Sequence, residues 1–264
     1  MSETILSEID EGVGIITLNR PERHNTFDDA LLHDLTIALV EMDINPGVRV
    51  VVLSSTGKSF CAGGDIHWMK RAAAYSQEET QRDAADLAHL MFTLCNLGKP
   101  TVARIQGPAY GGGVGLIAAC DIAIATFDAV FALTEVKLGI IPAVISPYVI
   151  AAMGERAARR YMLTAERFSA AEAYRLGLLH EIVPGEAQLD DAIGEIVEAL
   201  LGNGPRALAE CKTLIKAVAN RPINNEMVND TAARLARVRA SAEGKEGMAA
   251  FLEKRLPSWA AKND

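Results

Sequence analysis

The apolar residues of this chain change their spacing along its length. Thr4 to Asp10 and Val13 to Asn19 are two short runs rich in Ile, Leu, Val and Thr, separated by Glu11-Gly12; they predict a hairpin. From Asp28 to Met42, Leu31, Leu35 and Leu39 recur at helical spacing with Leu32 beside them, which predicts an amphipathic helix. Asn45-Pro46-Gly47 ends it. Val48 to Leu53 is an unbroken β-branched run, the pattern of a strand buried on both faces. Gln77 to Leu97 predicts a long helix with Leu87, Leu90, Met91 and Leu94 inward. Strands follow at Thr101 to Ile105, Asp121 to Ala125 and Val130 to Leu133, with a short buried helix from Gly113 to Cys120.

This first part repeats strand, strand, helix, which predicts stacked ββα units rather than a plain βαβ array. After Ala143 the pattern becomes helical. Val144 to Met153, Glu155 to Leu163, Ala170 to Leu176, Leu189 to Leu201, Pro205 to Ala219 and Asn225 to Ala240 all carry helical periodicity, interrupted by a strand at Leu179 to Val183. From about Gly202 the helices expose apolar stripes, which the chain's own core or a neighbouring subunit would have to cover.

Two glycine-rich segments precede helix-like stretches. One is Ser59-Phe60-Cys61-Ala62-Gly63-Gly64-Asp65-Ile66; the other is Gly107-Pro108-Ala109-Tyr110-Gly111-Gly112-Gly113-Val114-Gly115. Such turns leave backbone N–H groups without intrahelical partners at the positive end of the helix dipole. Two facing turns could hold one carbonyl oxygen between two donors, an oxyanion hole. Tight turns and close packing would use the same glycines. Glu135 lies downstream at a spacing that favours the first reading.

Composition narrows the partners. The 264 residues carry a net charge of −8, which argues against a nucleic-acid footprint and requires a local Arg or Lys cluster for any phosphate-bearing ligand. No apolar run is long enough to span a bilayer, and Met1-Ser2-Glu3-Thr4 carries no signal pattern, so a cytoplasmic location is expected. Cys61, Cys95, Cys120 and Cys211 are scattered, and the five histidines have no metal spacing; no metal is expected. Gly113-Val114-Gly115-Leu116-Ile117-Ala118 matches the dinucleotide fingerprint formally, but the next strand begins too soon for a crossover unit.

Several motifs taken in order resemble a known family. Asn19-Arg20-Pro21 with Asn25, Phe60 to Ile66, Gly107 with Gly111-Gly112-Gly113, Cys120-Asp121-Ile122, and Phe131 to Glu135 followed by Gly139 and Pro142 are similar to the crotonases, the enoyl-CoA hydratase/isomerase superfamily. The resemblance spans essentially the whole chain. It implies an α/β spiral of ββα repeats over 1–201 and a C-terminal helical trimerisation region over 202–264, assembled as a homotrimer or a dimer of trimers. Within the superfamily the chain is most similar to bacterial methylglutaconyl-CoA and isohexenylglutaconyl-CoA hydratases. That narrower likeness rests on His24-Asn25, Trp68-Met69-Lys70-Arg71, Ala143 to Val149, Arg159-Arg160-Tyr161 and Leu163 to Phe168.

The resemblance also implies roles. The oxyanion hole is the backbone N–H of Ala62 and of Gly112. The surrounding Gly63, Gly64, Asp65, Ile66 and Gly111 line the acyl-CoA site. Many hydratases of the family carry two glutamates; here the first position is Gly115, and Glu135 alone remains as general base. Gly115 is expected to leave space for a branched acyl group or a water. Arg23 matches a nucleotide-gripping position, or else is a solvated loop charge. Lys254, with Phe251, matches a segment that reaches a coenzyme A bound to the neighbouring subunit. Lys70 and Arg71 are candidates for the distal carboxylate of a glutaconyl group. Ser146 and Tyr148 either line the acyl pocket or pack, and Trp68 covers the pocket or fills core. His24 and His67 flank the site. Coenzyme A is part of the substrate, so no separate cofactor is implied. An isomerase that moves a proton between C2 and C4 with one glutamate is the competing activity.

Overall fold

A computed structural model of the chain describes residues 4–260. The first three residues and the last four, which belong to the two predicted regions, lie outside the described residues.

Strand β1 (Ile5–Asp10) pairs antiparallel with β2 (Val13–Leu18) through the expected hairpin, whose turn places Glu11 and Gly12 at positive φ. Helix α1 (Asp29–Ile44) starts on Asp28, whose carboxylate accepts the Leu31 amide at 3.0 Å. Strand β3 (Val50–Ser55) is buried along its whole length. Its alternate residues serve two cores: Val51 and Leu53 join Leu31, Leu35 and Leu39 of α1, while Val50 and Val52 face the opposite layer. That two-sided burial is what its β-branched run predicts.

Helix α2 (Ile66–Ala72) follows the first glycine turn. Helix α3 (Gln77–Asn96) opens on a capping box between Ser76 and Glu79 and buries Leu90, Met91 and Leu94. Strand β4 (Thr101–Ile105) then enters the main sheet. The two-residue strand β5 (Ala109–Tyr110) leaves it and leads into α4 (Gly112–Ala119). Strand β6 (Ile122–Thr126) returns to the main sheet, and β7 (Val130–Ala132) joins β5. Asp121 fastens this crossing, because its carboxylate accepts the Thr101 amide at 2.8 Å and the Thr101 hydroxyl at 3.0 Å.

The remaining elements are α5 (Ser146–Met153), α6 (Glu155–Thr164), β8 (Phe168–Ser169), α7 (Ala170–Arg175), β9 (Glu181–Val183) and α8 (Glu186–Leu201). The main sheet has the order β1-β2-β3-β4-β6-β9, and a second sheet has the order β5-β7-β8. Apart from the β1–β2 hairpin, the main sheet is parallel. Helix α8 closes its outer face, with Leu189, Ala192 and Ile193 against Val50, Val102, Ile124 and Val183. This is the expected ββα architecture, in which β4 and β5, and then β6 and β7, place one strand in each sheet.

Helices α9 (Pro205–Val218), α10 (Asn225–Ala240) and α11 (Ala242–Glu253) complete the described chain. Polar side chains fasten them to the core. Lys212 pairs with Asp121 and donates to the Lys99 carbonyl at 2.8 Å, and Arg49 donates to the carbonyls of Asn203 and Trp259. Large apolar side chains remain in the open on this region, among them Ile215, Ile223, Leu235, Phe251, Leu252 and Leu256.

Candidate active site

The two glycine turns meet. Cys61 forms a parallel bridge with Ala109, and the Tyr110 amide donates to the Cys61 carbonyl at 2.9 Å. Phe27 ties them from the other side. Its amide donates to the Gly63 carbonyl at 2.7 Å and its carbonyl accepts the Asp65 amide at 2.8 Å, so its backbone brackets Gly64. The Phe27 ring is fully buried and lies against Gly112, with ring carbon Cε2 2.4 Å from where a β-carbon on residue 112 would stand. Phe27 therefore contacts both turns and adds to the direct bridge between them.

The amides of these turns differ in what they bond. The Ala62 amide donates to the His24 carbonyl at 3.0 Å. The expected donor role of Ala62 is corrected by that bond: its N–H is consumed within the protein. The amides of Gly64 and Gly112 make no hydrogen bond among the described residues. Gly112 is the first residue of α4, where an orphan N–H is expected. Gly64 is left free because the bridge to Phe27 uses the bonding groups on either side of it.

The loop behind the first turn is heavily pinned. His24 and Asn25 both adopt left-handed backbone, at φ 53° and 54°. Asn25 is fully buried; its side-chain oxygen accepts the Arg20 amide, and its nitrogen donates to the carbonyls of Thr56 and Ser59. The His24 ring bonds the Ser59 hydroxyl at 3.0 Å. Asp65 caps α2 by accepting the amides of His67 and Trp68 and lies 3.8 Å from Arg20 and 3.6 Å from Arg23. Burial pushes the Asp65 carboxyl up, but the Trp68 and His67 amides and the two guanidinium groups outweigh it, leaving it below its ordinary value. Asp65 is thus a buried cap, with Arg23 half-exposed beside it.

Glu135 opens a single 3₁₀ turn, Glu135–Leu138, directly after β7. Its carboxylate lies over the second glycine turn, with Oε1 3.1 Å from the position of a β-carbon on Gly111. Oε2 is buried with no hydrogen-bond partner among the described residues. Burial raises the Glu135 carboxyl above its ordinary value, partly offset by its own backbone N–H. A buried acceptor without a partner is uncommon in a folded chain, and a carboxylate perturbed by burial beside free amides is a candidate functional group.

Gly115 does not leave open space. A β-carbon there would lie 2.3 Å from Cγ2 of Ile145 and 3.2 Å from Cε of Met91. The expectation of room for a branched group or a water is corrected: a buried isoleucine from the segment after Pro142 already fills it.

The other predicted residues fall in different places. The Trp68 ring packs over Gly64 while its Nε1 donates to Asp83 at 2.8 Å, so it forms a wall beside that free amide. Ile66 and His67 are exposed at the start of α2, and Lys70 is exposed in its last turn. Arg71 is held by Asp29 at 2.7 Å. Ser146 donates its hydroxyl to the Ala143 carbonyl at 2.7 Å, and Tyr148 packs half-buried against the main core. Phe251 and Lys254 stand exposed at the end of α11. Sequence reasoning overlooked Phe27, the unbonded Gly64 amide and Ile145. A large aromatic placed just before α1 and a β-branched residue in the segment after Pro142 were the available signals.

The profile of the family described as enoyl-CoA hydratase/isomerase matches residues 8–262. A crystal structure of an enoyl-CoA hydratase from Shewanella pealeana is 43% identical, covers 97% of this chain and 96% of its own, and superposes with a TM-score of 0.94. Pseudomonas aeruginosa AtuE is 38% identical, with 98% and 100% covered and a TM-score of 0.93. The enoyl-CoA hydratase ACTT6 of Alternaria alternata is 34% identical over 236 residues, 89% of this chain and 77% of that protein.

Proposed function

The chain belongs to the enoyl-CoA hydratase/isomerase family, and from that premise we propose that it adds water across the 2,3 double bond of a branched enoyl-CoA of the 3-methylglutaconyl or isohexenylglutaconyl type. The thioester oxygen accepts the amides of Gly64 and Gly112, which draws electron density from C3. The Glu135 carboxylate takes a proton from water as the water oxygen bonds to C3. The π pair moves onto C2 and the thioester oxygen, and the resulting enolate is held by the two amides. C2 then takes the proton from the Glu135 carboxyl group, which returns to its ionised state. One carboxylate thus moves both protons, and water is the only species added.

The observation that carries this reading is the half-buried Glu135, with an unpartnered oxygen, placed on the glycine turn that supplies one of the two free amides. The acyl class rests on the resemblance over Ala143 to Val149 and on the exposed Lys70 as a partner for a distal carboxylate. Arg23 is the candidate for a coenzyme A phosphate. The open apolar groups around the site, Ile66, Leu138, Ile140 and Ile141, and those of α11 fit a homotrimer or dimer of trimers in which Phe251 and Lys254 reach a neighbour's coenzyme A.

The filled space over Gly115 favours a second reading, isomerisation, in which the same carboxylate carries one proton between C2 and C4 and no water enters. Turnover of 3-methylglutaconyl-CoA and crotonyl-CoA in oxygen-18 water separates the two. Hydration places the label on C3. Double-bond migration without label would replace hydration by isomerisation.

A further inference from the structure

Residues Gly111 and Gly115 lie one turn apart at the start of α4, with the Gly115 amide donating to the Gly111 carbonyl at 3.2 Å. Each lacks a side chain, and another group takes the place. Over Gly111 stands the Glu135 carboxylate; over Gly115 stands Ile145, backed by Met91. The proposed proton carrier and an apolar plug therefore stand over residues one turn apart, about one helical pitch, ~5.4 Å, Gly111 being the residue that precedes the helix.

From this we infer that Ile145 is a specificity-determining residue that meters the acyl group. The inference rests on the reading of Glu135 as the group that works at C2 and C3. A thioester held by the Gly112 amide at the head of α4, with its C2 and C3 at Glu135, has Gly115 one turn further on, and Ile145 stands over that residue. A four-carbon acyl group ends at Glu135. One that continues for a further pitch, roughly four carbon–carbon bonds, meets the isoleucine. Ile145 is anchored rather than mobile: it is buried and sits at the residue preceding α5, with its carbonyl accepting the Val149 amide at 3.1 Å. The glycine at 115 is its complement, since any β-carbon there would displace the isoleucine.

The test is binding of saturated acyl-CoAs, which cannot react and so report the pocket without the chemistry. Butyryl-, hexanoyl- and octanoyl-CoA are titrated against the full chain, its Ile145→Ala variant and the milder Ile145→Val. Butyryl-CoA should bind the three proteins equally within about twofold. Octanoyl-CoA should gain at least about tenfold in Ile145→Ala, the scale on which apolar pockets discriminate chain size, with Ile145→Val between. Gly115→Ala should weaken octanoyl-CoA selectively, and adding Ile145→Ala to it should restore binding. An equal change for all three thioesters, or no change for any, would overturn the assignment. Because nothing turns over in this series, it is independent of the role of Glu135: a Glu135→Gln variant that keeps turnover removes the proton-carrier reading, whereas a length-independent binding series removes the metering role of Ile145.

Discussion

The Oε1 oxygen of Glu135 lies 3.1 Å from where a β-carbon on Gly111 would stand. A β-carbon at that residue would press on the carboxylate and push it aside by a few tenths of an ångström. Gly111 also sits at φ 51° and ψ −118°, a conformation closed to residues with a β-carbon. Gly111→Ala should therefore displace both the turn and the carboxylate. A loss of about 10²-fold in kcat is expected, the usual consequence of an ångström-scale misplacement. Steady-state kinetics on a folded sample, verified by circular dichroism, reads it.

Burial holds the Glu135 carboxyl above its ordinary value, which gives two linked pH effects. As the base, Glu135 must be ionised, so the acid limb of kcat/KM should fall at a pH above the normal glutamate range. In the folding equilibrium the sign is opposite. A raised native value means that stability is fully present below the unfolded value and is lost as pH rises through the native one. Glu135→Gln should thus melt higher than the parent at neutral pH, and the gap should close on acidification. A parent that melts as high as Glu135→Gln at neutral pH would contradict the buried carboxylate.

The two amides of the first glycine turn have separable jobs. Replacing the Gly64 amide by an ester, through incorporation of glycolic acid, exchanges the N–H for an oxygen and weakens the Gly63 carbonyl as acceptor of the Phe27 amide, so a thermal melt accompanies the kinetics. The replacement should lower kcat by about 10²–10³-fold. The corresponding ester at residue 62 removes the bond to the His24 carbonyl. It should cost about 1 kcal/mol of stability with little change in kcat. Reversal of these two outcomes would restore the donor role to Ala62.

Asp65 acts through structure. Asp65→Ala removes the cap of α2 and should destabilise the fold by about 1–2 kcal/mol. Its carboxyl is held below its ordinary value, so its stabilisation is present above the unfolded value and lost as pH falls through the native one. Thermal melts of the variant should accordingly converge with those of the parent at acid pH. Equal destabilisation at all pH values would show that the carboxylate charge has no part in it.

Much of this architecture is legible from side-chain spacing. The β-branched run of β3 and the leucines of α1 announce their burial because long elements repeat a pattern. Strands β5 and β8 are two residues each, too short to carry a period, and they matter only through pairing with β7. Helix α11 shows no clear stripe because it packs chiefly on its neighbours through Ala250. At the site, Glu135 and the glycine turns can be found from motif and spacing. The assignment of the free amide cannot, since whether Ala62 or Gly64 is unbonded depends on the left-handed turn at His24 and the path of Phe27. The same holds for Gly115. A missing side chain reads as space in a sequence, and only packing shows that Ile145 has taken it.

The most direct measurement is turnover of 3-methylglutaconyl-CoA and crotonyl-CoA by Glu135→Gln beside the parent, with butyryl-CoA affinity measured on both. A lone proton carrier predicts a rate lower by about 10²–10⁴-fold with thioester binding retained. Near-parental turnover by the glutamine variant would contradict it.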